Sequence, residues 1–423
     1  MAKHEHAIGP IQKRTLFSSF IGWMFDGYET STLILVGASA VSSLISSSDA
    51  AAIRLGVGTA LSSTLAGWAI GGIIGSIIAD YVGRKRMLMI AIAGYCIFTA
   101  FTALSHSLEM LIALRFVTGL FLGTEWSTGT TLVAETWPAS ARAKALGVMQ
   151  SGYGFGFFLA ALLWLFVQPA FGPESWRLMF IMGVLPAIAL IYLRNSLPES
   201  KLWEDAVAKV SQSGRSRKFT LLEVFQNPQE RKYVLASLVL ATVTVAVFYA
   251  ISALIGPFVA GVASSQGLVG PKWASISILI YNAGAIIGYI SAGFIADKYG
   301  RKPYMVFIFA ASIVSGLLIF LMPPNLFIVL VCIFILGCFT LGVFSWMPIY
   351  LPELFSTSVR STASGFVFNA ARFVAFPLPY FTAFLFTSLG GFQPTVLCLT
   401  LLYAISLAAL LVLPETKDQP LPE

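Results

Sequence analysis

Five charged residues stand inside otherwise apolar stretches, and their side chains are of kinds that bind protons or organic anions: Asp26, Glu29, Arg115, Glu125 and Arg372. A charge at the centre of a bilayer costs about 2.5 to 3.5 kcal/mol on insertion scales, so each needs a partner or a function. Counted along their helices at ~1.5 Å per residue, Asp26, Glu125 and Arg372 lie at similar depths, and the other two lie deeper. We expect all five to line one cavity.

The carboxyl groups of Asp26 and Glu29 form a candidate proton site. They stand three residues apart in GWMFDGYETS, on one face of a helix. Neighbouring carboxylates in a low-dielectric site favour a bound proton over two negative charges. The spacing therefore predicts protons as the coupling ion, and no other cofactor is expected.

Arg372 is a candidate anion site, because a guanidinium keeps its charge and its planar donors match a carboxylate. Asn369 lies one turn before it on the same helical face. Alternatively, Arg372 neutralises Asp26 or Glu125, which would leave a neutral substrate such as a sugar. Other candidates for the pocket, although aromatic residues in spans more often pack or anchor helices, are Tyr28, Gln150, Tyr153, Tyr249, Asn282 and Trp346.

The composition indicates a membrane-spanning framework for these residues. The 423 residues are 57% hydrophobic and 11% charged, whereas a soluble domain carries roughly 25% charged residues. Twelve apolar stretches are long enough to cross a hydrocarbon core of ~30 Å. They cover residues 15–42, 57–79, 87–105, 108–135, 144–169, 176–195, 233–261, 273–296, 303–322, 325–352, 361–388 and 393–413.

Three motifs recur at an offset of 216 to 218 residues and divide the twelve stretches into two sets of six. The repeats pair SIIADYVGRK (76–85) with GFIADKYGRK (293–302), the trio Glu135, Arg142 and Gly147 with Glu353, Arg360 and Gly365, and 197–200 with 413–416. We predict an all-α membrane protein of twelve transmembrane helices in two pseudo-symmetric six-helix halves, 1–195 and 233–423, joined by a linker, 196–232. Repeated halves around a central site are typical of transporters.

Basic residues concentrate on one side of the predicted membrane, and the opposite side receives only Arg54, Arg177 and Lys272. Because basic loops resist translocation, both termini and the linker are predicted to be cytoplasmic. The net charge of +7 then reflects topology, and no nucleic-acid partner is expected. The four cysteines and three histidines lack paired or ligand-like spacing, so no disulfide and no metal site is predicted.

The repeated ADxxGRK loops and the Glu-to-Arg motifs after spans four and ten resemble the major facilitator superfamily over essentially the whole chain. The resemblance implies that the halves rock against each other and are latched on the cytoplasmic side. It also implies the latch residues, which are Asp80, Arg84, Glu135 and Arg142 in the first half and Asp297, Arg301, Glu353 and Arg360 in the second.

Several segments resemble subgroups of that superfamily. GYETSTLILVG resembles the GYDxxxxxG of proton-coupled sugar porters, which implies that Glu29 carries a proton and pairs with Arg115. RFVTGLFLG, containing Gly119 and Gly123, is expected to pack closely against span one. DGYE looks like the DGFD of aromatic-acid proton symporters, which makes Asp26 a second coupling candidate.

Two further segments refine these expectations. TEWSTGTTLVAETWPASARAKALGVMQSGYGFG reads like bacterial metabolite symporters of the sialate/lactate type, whose GEW contains the glutamate matched by Glu125. Glu125 is expected to face Asp26 or Arg372, or to support Trp126 at a helix interface. LPELFSTSVRSTASGFVFNAAR resembles organic-ion transporters, where anion carriers tend to keep an arginine at the position of Arg372.

The leading hypothesis is a proton-coupled symporter of a small organic anion, such as a monocarboxylate or a sugar acid. It would work by alternating access, as a functional monomer in the lipid bilayer of a bacterial inner membrane. The alternatives are a proton-coupled sugar or polyol porter and an aromatic-acid transporter. An enzyme is disfavoured because the sequence contains no phosphate-binding loop, metal-ligand cluster or nucleophile-base set.

Overall fold

A computed structural model describes residues 8–46, 48–185, 198–212, 219–375 and 378–422. The predicted sixth span beyond residue 185 and parts of the predicted linker lie outside these ranges. The described helices of the first half and the linker are α1 Pro10–Ile45, α2 Ala50–Val82, α3 Arg84–Ala103, α4 Leu108–Thr136, α5 Arg142–Phe171, α6 Ser175–Met182, α7 Lys201–Gln212 and α8 Thr220–Gln226.

The second half follows directly. Its described helices are α9 Pro228–Ser265, α10 Gly270–Tyr299, α11 Arg301–Leu321, α12 Leu326–Thr340, α13 Trp346–Leu354, α14 Arg360–Ala375, α15 Leu378–Ser388, α16 Phe392–Leu401 and α17 Tyr403–Ala409. Short 3₁₀ turns at Gly172–Glu174, Gly342–Ser345 and Leu410–Val412 join or extend them. Helix α9 begins at Pro228, five residues before the predicted start of this half.

The described part of the chain is all-α, and its helices form two related bundles. Within the described ranges, nine helical segments are long and apolar enough to cross a membrane, and some of them join two consecutive helices across a short 3₁₀ turn. Helix α4 is not among them; it contains the charges Arg115 and Glu125. The segment of α14 and α15 is divided because residues 376–377 lie outside the description.

Polar residues begin several helices at the ends where the sequence leaves its apolar stretches. Asp49 accepts hydrogen bonds from the backbone N–H groups of Ala51 and Ala52, at 3.1 and 3.3 Å. Asn325 does the same for α12, at 3.1 and 3.3 Å. These side chains satisfy N–H groups that have no partner inside the helix, so they define where the helices start.

The turns after α2 and α10 are built alike, as the repeat predicts. Gly83 and Gly300 have φ angles of +105° and +110°, in the left-handed region that favours glycine. Glu199 accepts from the N–H of Lys85 at 3.0 Å, and Glu415 accepts from the N–H groups of Arg301 and Lys302 at 2.8 and 2.9 Å. The third repeated motif thus caps the helix that follows each turn.

The two halves meet along α5 with α10 and along α2 with α14. Gly147 and Gly293 make the first contact possible, since a Cβ on Gly147 would lie 2.9 Å from the backbone nitrogen of Gly293. One end of the bundle, where side chains of both halves form ion pairs with each other, is called the basic face. It is the end that carries Arg84, Arg142, Arg301 and Arg360.

The linker packs on the basic face through its two short helices. Trp203 of α7 donates to the carbonyl of Asp80 at 2.7 Å. Thr220, at the start of α8, donates its N–H to the hydroxyl of Tyr81 at 3.2 Å, and its hydroxyl lies 2.8 Å from that of Thr362. Thr220 therefore contacts both halves, as a tether between them would.

Candidate functional site

A small central cavity lies between the two halves, with side chains of α1, α5, α9, α10 and α14 in its wall. Its wall is mostly aromatic, and its polar groups include the side chains of Gln150 and Arg372. The aromatic residues that line it are Trp23, Tyr153, Phe248, Tyr249, Tyr289, Phe344 and Phe368.

Arg372 is held in this wall by aromatic rings and by its own helix. Its guanidinium carbon lies 4.0 Å from the ring centre of Phe368 and 4.9 Å from that of Trp68. Its Nη1 donates to the carbonyl of Phe368 at 2.9 Å and to Asn369 Oδ1 at 3.4 Å. Its Nε is buried and has no hydrogen-bond partner among the described residues. No described carboxylate forms an ion pair with it, so the guanidinium is available to an anion in the cavity.

The other predicted pocket residues fall into two groups. Gln150 and Tyr153 line the cavity, and Gln150 Oε1 accepts from the indole of Trp126 at 3.1 Å. Asn369 lies behind the wall, where its amide donates to the carbonyl of Gly365 at 2.8 Å and its oxygen receives Arg372. Asn369 therefore orients the arginine instead of facing the cavity.

The structure places Tyr28, Asn282 and Trp346 outside the cavity wall, contrary to the sequence-based expectation. The hydroxyl of Tyr28 donates to the carbonyl of Met179 at 2.7 Å, inside the first bundle. Asn282 donates to the carbonyl of Ile278 in its own helix at 2.9 Å. The indole of buried Trp346 donates to Thr244 at 3.2 Å. Each polar group is satisfied away from the cavity.

Glu29 and Arg115 form an ion pair of 2.9 Å that is almost fully buried in the first bundle. Three threonine hydroxyls surround the guanidinium at 2.8 to 3.2 Å, on Thr99, Thr102 and Thr118. The ring of Phe180 covers it at 4.7 Å. The pair is separate from the cavity wall, so the expectation that all five charges line one cavity was wrong.

Glu125 faces Asp26, which was one of its two expected partners. Both carboxyl groups are buried, and each lies within the electrostatic reach of the other. Glu125 reaches α1 over Gly22, where a Cβ would overlap its carboxyl group. The pair lies behind the wall that holds Arg372, and Arg372 acts on Asp26 electrostatically.

Gly119 and Gly123 were expected to pack against α1, but they do not. A Cβ on Gly119 would lie 2.9 Å from the backbone nitrogen of Trp68, and one on Gly123 would lie 2.6 Å from that of Gly72. The glycine face of α4 therefore packs on α2. A different face of α4 presents Glu125 to α1.

Eight charged residues form two linked clusters at the basic face. In the first half, Arg84 contacts Asp80 at 3.0 Å and Glu135 at 3.2 Å. In the second, Arg301 contacts Asp297 at 3.3 Å and Glu353 at 2.8 Å. Bonds between the halves include those of Arg360 to Glu135 at 2.7 Å, of Arg142 to Glu353 at 3.2 Å and of Asp80 to the N–H of Thr362 at 2.8 Å. The halves are thus latched together at this end.

Comparisons with known proteins agree with this architecture. Residues 16–234 match the family model described as sugar (and other) transporter, and residues 244–423 match the one described as Major Facilitator Superfamily. The chain belongs to the major facilitator superfamily. It is therefore an integral membrane protein and a transporter, not an enzyme.

Two relatives and one solved structure are similar to this chain over most of its length. The chain is 26% identical to a probable 4-methylmuconolactone transporter of Cupriavidus pinatubonensis, covering 96% of this chain and 92% of the relative. It is 28% identical to the sialic acid transporter NanX of Escherichia coli, covering 86% and 84%. The proton:xylose symporter XylE has the same fold, with a TM-score of 0.80, 17% identity and coverage of 97% and 98%.

Sequence reasoning missed several residues that shape the site of this superfamily member. Trp68 and Phe368 hold the guanidinium of Arg372, and the threonines around Arg115 complete its coordination. Thr99 and Thr102 stand three residues apart on α3, a spacing that could have indicated a polar stripe facing a buried charge. No comparable spacing marks Trp68 or Phe368, since their helices are rich in apolar residues.

Proposed function

We propose that this transporter is a proton-coupled symporter of a small organic anion, such as a monocarboxylate or a sugar acid, with Arg372 as the anion site. The observation that carries the proposal is a half-buried arginine in the wall of the central cavity, whose guanidinium has no ion-pair partner among the described residues. A carboxylate in the cavity would supply the missing charge and two hydrogen-bond acceptors.

Proton coupling is proposed for Asp26, Glu29 and Glu125, with Arg115 as the partner of Glu29. In the buried pair of Glu29 and Arg115, a proton on the acid would weaken the attraction and free the arginine. Because both residues lie in the first bundle, that change would alter the packing of α1 against α4. Proton occupancy would in this way bias the conformation of one half.

Alternating access is supported by the latch at the basic face, which we propose to be cytoplasmic. Basic loops favour the cytoplasmic side, and the linker and the C-terminal residues lie at this face. The described conformation is then closed to the cytoplasm. We propose that the protein works as a monomer in a bacterial inner membrane, since the cavity is formed by the two halves of one chain.

The aromatic lining favours one of the alternative substrates over the other. Rings of Trp23, Tyr153 and Phe368 offer flat apolar surfaces, whereas a polyol needs several converging hydroxyl and amide groups. An aromatic or unsaturated acid is therefore the second candidate, ahead of a neutral sugar.

Uptake into proteoliposomes with an imposed pH step tests the proposal. We expect labelled lactate, pyruvate, gluconate, sialate or benzoate to accumulate when protons flow inward, and a protonophore to abolish the accumulation. Xylose serves as the neutral probe, and uptake of xylose without any acid would overturn the anion site. In the same vesicles, Glu29→Gln should lose uphill accumulation but retain exchange; retained accumulation would remove Glu29 from the coupling.

A further inference from the structure

Asp26 and Glu125 form a buried carboxyl pair whose charge is not balanced in the way that the charge of Glu29 is. The two residues are 0% and 2% exposed. Across the described part of the chain, no N–H or O–H group donates a hydrogen bond to any of their four oxygens. Glu29, one turn further along α1, has Arg115 at 2.9 Å. The pair therefore lacks the cation that stabilises its neighbour.

The chemistry of such a pair limits its charge. Two carboxylates in contact inside a low-dielectric site repel strongly enough that they do not both ionise, and they share one proton. That proton also supplies the hydrogen bond that the surroundings do not, because a protonated carboxyl can donate to its ionised partner. The contact between Asp26 and Glu125 is therefore satisfied only when at least one proton is bound.

The titratable and charged groups around the pair come from each neighbouring helix. On α1 itself the group is Glu29, whose charge Arg115 balances. Tyr95 of α3 has a buried hydroxyl without a hydrogen-bond partner among the described residues. The remaining groups that act on the pair are Tyr153 of α5 and Arg372 of α14. Arg372 is the cation among them that also faces the cavity.

We infer that Asp26 and Glu125 together hold one proton in the empty transporter and take up a second when an anion binds to Arg372. The inference rests on the proposed function, in which Arg372 is the anion site. In the empty state, the singly protonated pair and the guanidinium carry opposite unit charges and balance each other. A bound carboxylate adds one negative charge, and a second proton on the pair restores the balance. Anion binding and proton uptake are thus linked through Arg372.

Infrared spectroscopy of the purified full-length protein, without substrate, tests the first proton. We expect the carbonyl stretch of a protonated carboxyl group at neutral pH, shifted by exchange into heavy water. The band should disappear in Asp26→Asn and in Glu125→Gln, and should persist in Glu174→Gln, which removes an exposed acid. A band that survives either substitution would overturn the shared proton. Because each residue is substituted separately, the test can be made as long as one of the two variants folds.

Calorimetry tests the second proton with a carboxylate that the vesicles accumulate, and benzoate is the first probe. Titration in buffers of different ionisation enthalpy counts protons taken up on binding. We expect about one proton per anion for the wild type, and none for the variant carrying both Asp26→Asn and Glu125→Gln. An unchanged proton count in that variant would overturn the linkage. If no acid of the panel binds the wild type, the proposed function is wrong, and so is the proposed uptake of a second proton. The infrared band still tests the proton of the empty transporter in that case.

Discussion

At the scale of single residues, the five charges inside the apolar helices occupy three different environments. Glu29 and Arg115 neutralise each other, Asp26 and Glu125 face each other, and Arg372 lies between aromatic rings at the cavity. The same residue types can thus serve as an ion pair, a proton site or an anion site. The environment, more than the residue type, assigns the role.

Arg372→Ala should raise the apparent KM for a transported carboxylate. Hydrogen bonds to a charged group contribute about 1.5 to 3 kcal/mol, which corresponds to a roughly ten- to hundred-fold rise in KM. Initial uptake rates over a range of anion concentrations measure it. Arg54→Ala is the matched control, because Arg54 is exposed and lies far from the cavity. An unchanged KM in Arg372→Ala would locate the anion site elsewhere.

Residue types were predictable at this scale, but the direction of most side chains was not. The charges stood out because each is costly in a membrane. The prediction that the side chains of Tyr28, Asn282 and Trp346 face the cavity differs from the structure. Each residue turns a helix by about 100°, and hydropathy does not define which face meets the cavity. A polar or aromatic side chain in an apolar span can also satisfy itself on a neighbouring carbonyl, as Tyr28 does.

At the scale of helices and turns, the repeated motifs build equivalent local structures. The glutamates Glu199 and Glu415 come from the ends of the two halves and cap α3 and α11, which begin after Gly83 and Gly300. The repeat predicted that these turns are equivalent. It did not predict the caps, because Glu415 is 114 residues away in sequence from the N–H of Arg301.

The carboxyl group of Glu415 should make the stability of α11 dependent on pH. Burial would raise its pKa, but four backbone N–H groups donate to it and hold the pKa below its ordinary value. A lowered folded pKa adds stability above the unfolded pKa of about 4.3, and this is lost as the pH falls through the folded value. Glu415→Gln should therefore melt at a lower temperature at pH 7, and the gap should narrow in acid.

Thermal unfolding in detergent at several pH values measures this gap. Glu174→Gln, at an exposed acid outside the repeated motif, provides the control and should show no comparable loss at pH 7. A gap between wild type and Glu415→Gln that stays constant from pH 7 to strongly acidic conditions would contradict the role of the ionised carboxyl group.

At the scale of the whole molecule, the latch at the basic face holds the halves in one arrangement. Removing one partner of a buried ion pair costs about 3 to 5 kcal/mol. The double variant Glu135→Gln, Glu353→Gln should therefore populate conformations that are open at this face. Spin labels at Lys85 and Lys302, in a background without native cysteines, report the separation of the halves.

We expect longer label distances in the double variant than in the wild type, and unchanged distances in Glu174→Gln. Identical distance distributions in wild type and double variant would show that the charges do not hold this face closed. Twelve helices and two halves were predictable from hydropathy and the repeat. The sequence did not predict which end of the bundle is closed, because the same charges are present in every conformation.

Among the eight residues that define the latch, each half contributes two arginines and two acids, so each set of four is electrically neutral. The sets are Asp80, Arg84, Glu135 and Arg142 on one side, and Asp297, Arg301, Glu353 and Arg360 on the other. Two neutral groups attract each other only at contact, and their attraction falls more steeply with distance than that between opposite net charges. Separation therefore meets resistance over the first few ångströms and little afterwards. If the halves move as proposed, such a short-range force would favour the closed and open states over intermediate separations.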